Sequence, residues 1–190
     1  MNGSDRMQRW PSVIAVGIPM LLIVIRATPV GADFVYVVMG IPALLLIWLL
    51  AAVAALAMAL RSLKARAWRR SLSRAILPLT VVAAFIQPRF SIASINLAGD
   101  LIHFEMVQSR YLAELATMPK TAEPKLVIFD WGGWITMSNG VVYDESDEVA
   151  LPAGQRSPAW KARANDTELN CSAYAVRAIG DHFYLADFIC

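Results

Sequence analysis

Few side chains in this chain of 190 residues could do chemistry, and most of them fall after residue 100. Histidine occurs twice, at His103 and His182, and cysteine twice, at Cys171 and Cys190. His103 stands in His103-Phe104-Glu105, without the i, i+4 histidine pair of a zinc-protease helix. Asp144-Glu145-Ser146-Asp147-Glu148 sets four carboxylates within five residues. Such oxygen-rich runs suit Ca²⁺, but an EF-hand loop wants glycine at its sixth position, where Val149 stands. The run reads as a solvated acidic turn, and no metal or cofactor is expected.

Asp130, Trp131, Trp134 and Tyr143, joined by Asp144 and His182, are the candidate binding residues. Indole and phenol rings beside a carboxylate suit a sugar, a cation or a peptide, provided that a hairpin brings the two stretches together. Core packing accounts for the same aromatic residues. Read as an enzyme, the chain would use Asp130, Asp144 and His182 as acid–base groups. No residue is assigned a catalytic role, because glycine-rich phosphate loops, GxSxG elbows and CxxC pairs are all missing from the sequence. Asn2, Asn165 and Asn170 open N-x-S/T sequons, which matter only in a eukaryotic secretory setting.

The cysteines depend on register. A turn at Gly180-Asp181 places Cys171 opposite Cys190 at the open end of a hairpin. In an oxidising compartment a bridge there closes a loop of about 20 residues, worth roughly 3 kcal/mol. Counting outward from Ile179 and His182 puts the pair on the wider-spaced, hydrogen-bonded type, where bridging is harder. Two unpaired thiols in a cytoplasmic domain are the alternative.

The elements that must position these groups divide the chain in two. Residues 1–94 hold ten Lys/Arg against two Asp/Glu, and residues 95–190 hold seven against thirteen. Hydrophobic residues make up 57% of the whole, with the excess concentrated in the first half. Phe34 to Leu60 is uncharged throughout and longer than the ~20 residues that cross a bilayer. Pro42 lies inside that segment. Arg61, Lys64, Arg66, Arg69, Arg70 and Arg74 follow within residues 61–74, and the positive-inside rule puts that loop in the cytoplasm. Basic stretches also bind nucleic acid, but anionic lipid is the partner favoured here.

Two further segments flank this core. Ser12 to Ile25 is either the heart of a span over residues 11–30 or a signal with a cleavage site at Val30-Gly31-Ala32. Ala75 to about Ile92 reads as a third span with Arg89 near its outer end, or else as a re-entrant helix. Three spans place residues 95–190 outside the cytoplasm, with the N-terminus inside.

The outer half changes pattern. Residues 96–118 form an amphipathic helix through Leu97, Leu101, Phe104, Tyr111 and Leu115, and Pro119 ends it. Leu126-Val127-Ile128-Phe129 reads as a buried strand, and Gly132-Gly133 as a bulge or bend. Asn139-Gly140 predicts a two-residue hairpin turn pairing Met137 with Val142 and Thr136 with Tyr143. Ala173–Ile179 and His182–Ile189 predict a second hairpin, with Pro152 to Asn170 as a loop between the two. The expected fold is a membrane α-helical bundle of three transmembrane helices followed by a small α+β domain. In that domain the amphipathic helix packs on an antiparallel sheet of about four strands.

The expected role is a membrane-anchored, extracytoplasmic interaction module of accessory or immunity type. Its partners would be the lipid bilayer and a membrane or envelope protein, not nucleic acid. The alternatives are the enzyme above or a small channel or transporter subunit; against the latter, the central span carries no charge.

Overall fold

The computed structural model describes residues 8–28, 39–134, 137–165, 167–170 and 173–189. The chain forms two compact units, residues 1–99 and 100–190.

The first unit is helical. Helix α1 is Trp10–Ala27, α2 is Ile41–Lys64 and α3 is Trp68–Ile86. A fourth helix, α4 (Pro88–Thr117), begins in this unit and runs on into the second. Helices α1 and α2 are each long and apolar enough to cross a membrane, and the bent pair α3 and α4 adds a third candidate if taken as one broken span. At 1.5 Å per residue, the 18 residues of α1 and the 24 of α2 reach roughly 27 and 36 Å.

The packing is that of a bundle built for lipid. Ala15, Trp48, Ala52, Ala55, Leu77 and Val81 are buried between the helices. Val16, Leu46, Ile47, Leu50, Val53 and Leu79 point outward. Small residues inside let backbones approach closely, and large aliphatic ones outside need an apolar solvent. Helix α1 is a working member of this core through Ala15, with Trp10, Ile14 and Ile18 packed beside it.

Two prolines mark helix ends. Pro42 falls in the first turn of α2, where its missing N–H is no loss, and residues 34–38 of the expected span lie outside the described residues. Pro88 forces Gln87 out of helical geometry (φ −124°, ψ 63°), so α3 stops at Ile86 instead of running to Ile92. Helix α4 then leaves at 98° to α3. The expected amphipathic helix therefore starts at Pro88, eight residues before Asn96.

The second unit is an α+β domain. Strands β1 (Leu126–Trp134), β2 (Met137–Asp144), β3 (Ala173–Gly180) and β4 (Phe183–Ile189) form one antiparallel sheet in the order β1-β2-β4-β3. One face, through Val127, Phe129, Val141, Phe183 and Leu185, packs on Phe104, Val107, Tyr111 and Leu115 of α4. The other face, through Ile128, Val142, Tyr184, Ala186 and Phe188, packs on Val149, Trp160, Ala164 and Leu169. Both faces are covered, which is why residues 126–129 are continuously apolar instead of alternating.

Four local expectations change. Asn139-Gly140 is not a turn but lies inside β2, with Asp130↔Gly140 on one side and Gly140↔Ala186 on the other. A Cβ on Gly140 would come within 2.5 Å of the Phe129 carbonyl oxygen, so glycine serves close strand approach here. The second turn is Asp181-His182, one residue later than expected, because the register shifts between Ala178 and Gly180. Ala173 consequently pairs with Ile189, not with the Phe188 that the Cys171–Cys190 register requires. Both cysteines lie outside the described residues. The stretch from Pro152 to Asn170 is no plain loop: it holds helix α5 (Pro158–Ala164), started by Ser157, whose hydroxyl accepts the Trp160 N–H. The expected bulge is present, with the register shifting between Asp130 and Gly133 and Gly132 at φ +92°.

Candidate functional site

The acidic run leaves the end of β2 and folds back onto the sheet, so its carboxylates are not simply solvated. Asp144 is fully buried. Its Oδ1 accepts from the Ser146 N–H (3.0 Å) and hydroxyl (2.6 Å). Its Oδ2 accepts from the Val149 N–H (2.7 Å) and the Trp160 indole (2.8 Å). Four donors fill the capacity of a carboxylate, so Asp144 is a structural joint between sheet, turn and α5. Glu148 accepts from the Ser157 N–H and hydroxyl, fixing the residue that caps α5. Glu145 accepts the Lys125 N–H (2.9 Å).

Asp147 does something different. It adopts a left-handed conformation (φ 58°), as does His182 in the β3–β4 turn (φ 61°). The two meet: Asp147 Oδ1 lies 2.9 Å from His182 Nδ1 and accepts the Tyr184 hydroxyl at 2.7 Å. The main chain reinforces the join, because the Asp144 N–H donates to the His182 carbonyl (2.9 Å). The side chains of His182 and Asp147 are 41% and 51% exposed, so this pair is open to a ligand. The Tyr143 ring stands edge-on to the imidazole at 6.0 Å.

The electrostatics follow from these bonds. The hydrogen bond to Asp147, then the charges of Asp147, Asp181 and Glu145, raise the imidazole of His182 above its usual pKa. The bonds from Tyr184 and His182 hold Asp147 below the usual carboxylate range. Burial, then the bond to Asp147, push the Tyr184 phenol up to about 12. Burial raises Tyr143 as well, aided by Glu145 and Asp147. The arrangement is a carboxylate-held imidazole with a phenol behind it, its charged form favoured by Asp147 and its ring half exposed to a group at the surface.

The remaining expected site residues are dispersed. Trp131 lies on the α4 face, where its indole donates to the Tyr111 hydroxyl (2.8 Å) and its ring meets buried His103 at 4.5 Å. Asp130 accepts the Gly132 N–H (2.8 Å) and shapes the bulge. Burial and then the Asp130 charge raise Glu168. Asp130 pairs with Gly140 while Asp144 pairs with Leu126, so the two carboxylates sit roughly 13 Å apart along the strands. Asp130, Asp144 and His182 therefore do not converge. Trp134 is the last residue of β1, paired with Met137. Among the described residues no group of three His, Cys, Asp or Glu could hold a metal ion.

Sequence reasoning missed Asp147, Tyr184 and Trp160 as partners. The Ser157-Pro158 start signal could have revealed α5, and with it a buried Trp160. No protein family, curated protein or solved structure matches this chain.

Proposed function

We propose that the protein is a membrane-anchored interaction module with its N-terminus in the cytoplasm. On this reading the α+β domain stands outside and binds a protein of the membrane or envelope through the hairpin end. The observation that carries it is the use to which the polar side chains are put. Asp144, Glu148 and Trp131 are engaged within the domain, whereas Asp147, His182 and Tyr143 present a charged and aromatic group at its surface. The exposed Asp181 and Glu145 add negative charge around the imidazole. That chemistry suits a polar, cationic contact on a partner protein.

The orientation is supported by charge. Gln8 at the start of α1 donates from its N–H to Ser73 and accepts from Arg74, so α1 and α3 begin at the same end of the bundle as the α2–α3 turn. That end carries the basic run 61–74 and Arg9, while Arg26 and Arg89 lie toward the other.

A photo-crosslinking residue at Asp181 of the full chain, in its native membrane, tests the reading. A discrete heterologous adduct that disappears in Asp147→Lys is expected. Adducts to lipid alone, or a defined turnover by the purified protein, would overturn it.

A further inference from the structure

The α2–α3 turn concentrates positive charge. Asp5 and Asp33 are the only carboxylates in residues 1–99. At one end of the bundle, Arg9, Arg61, Lys64, Arg66 and Arg69 are all exposed. Arg66 marks the turn itself, in the left-handed region at φ 56°. The connection from Lys64 to Trp68 is short, so the last turn of α2 and the first of α3 bring their cations together.

Arg74 sharpens the point. Its Nη1 donates to the Met58 carbonyl (2.9 Å) and the Ser62 hydroxyl (2.6 Å), and its Nε donates to Gln8 Oε1 (2.9 Å). All three acceptors are neutral. An anion nearby would complement a partly buried guanidinium in such company. The hydrogen bonds also draw Gln8, Ser62, Ser73 and Arg74 into one belt, which keeps the surrounding cations at a common level.

The neighbouring apolar residues indicate which anion. Trp68 and Leu72 are each 68% exposed on α3, directly among the arginines. An exposed indole beside a basic cluster at the end of membrane-length helices suits the headgroup layer, where its ring is apolar and its N–H meets polar groups. Soluble phosphate would leave Trp68 and Leu72 in water. A phospholipid brings acyl chains to cover them.

We propose that this cationic turn is a binding site for anionic phospholipid headgroups, with Arg61, Arg66 and Arg69 pairing with the phosphates and Trp68 and Leu72 lying against the acyl chains. The proposal rests on membrane insertion of the bundle and is independent of any partner of the α+β domain.

The test uses the full chain purified in neutral detergent and measures its unfolding temperature on addition of phosphatidylglycerol, phosphatidylcholine, glycerol phosphate or a short DNA duplex. Phosphatidylglycerol is expected to raise the midpoint far more than phosphatidylcholine, and 0.5 M salt should shrink that rise, as roughly expected when the ~8 Å screening length at physiological salt is shortened. The variant R61Q/R66Q/R69Q should lose affinity by about fivefold per charge removed. The lysine variant R61K/R66K/R69K should keep most of it. Equal stabilisation by both lipids, a salt-insensitive rise, or a rise from DNA or glycerol phosphate equal to that from phosphatidylglycerol would overturn the proposal. Salt dependence in the unmodified chain decides the matter even if the glutamine variant does not fold.

Discussion

A buried carboxylate with a donor on every lone pair is a joint, and Asp144 shows how firmly one residue can tie separate segments. Asp144→Asn turns an acceptor into a pair of N–H donors facing Ser146, Val149 or Trp160. Leaving those donors opposed should cost about 2–4 kcal/mol of stability, read by denaturant unfolding of the full chain. The Asp147–His182 pair works on another scale of energy, because both side chains are half exposed and solvent screens them. With His182 raised and Asp147 lowered, their stabilisation is whole between roughly pH 4 and 6.5, the unfolded values of the two groups. It fades as pH rises through the raised imidazole value, and as pH falls through the lowered carboxylate value. An NMR titration of His182 should show its midpoint above the ordinary histidine value, returning toward it in Asp147→Asn. The same substitution should bring the Tyr184 phenol down from about 12 in an ultraviolet titration. The acidic run was plain in the sequence, but its fate was not. The same five residues look alike whether they face water or Trp160, and the indole that decides lies sixteen positions further on.

At the level of strands and helices, glycine separates what sequence could and could not foretell. Gly132 in a positive-φ bulge and Gly140 at a close approach use two different properties of the residue, and nothing in the letters distinguishes them. Gly140→Ala should destabilise by about 1–3 kcal/mol, since backbone atoms of Phe129 and Asp130 must move. Gly132→Ala should cost about 1–2 kcal/mol through backbone strain alone. Gly180→Ala, where an added Cβ meets nothing, should stay within about 0.5 kcal/mol. Thermal unfolding of the three variants side by side gives that ranking or refutes it. Hydrophobic runs were more legible: residues 126–129 and the second hairpin are where their patterns put them to within a few residues, and α4 ends where Pro119 predicts but starts eight residues early, at Pro88. The misplaced turns have a physical source. A two-residue turn and a one-residue bulge can trade places at little cost, and the β3–β4 hairpin carries both, with Gly180 paired with Phe183 and the register shifted between Ala178 and Gly180.

For the molecule as a whole, the sharpest expectation concerns sidedness. A cysteine at Gly180 should react with a membrane-impermeant maleimide on intact cells, and one at Arg66 only after permeabilisation, each compared with the unaltered chain. The reverse pattern would invert the orientation. Helix contact inside the bundle gives a second handle: a Cβ on Gly99 would lie 2.5 Å from the Arg26 stem and 3.1 Å from the Ile23 carbonyl oxygen. Gly99→Leu should therefore loosen α4 from α1 and raise protease sensitivity near that contact. The strand order β1-β2-β4-β3 has a consequence in time rather than in space. Strands β1 and β2 can close by themselves, but β2 is completed only when Val142 finds Tyr184, far along the chain. Until then the outer hydrogen-bonding groups of Met137–Asp144 are open, and the β3–β4 hairpin of a neighbouring copy satisfies them as well as its own. Refolding at high concentration should accordingly yield hairpin-exchanged dimers, in a proportion set during folding and unchanged by later dilution.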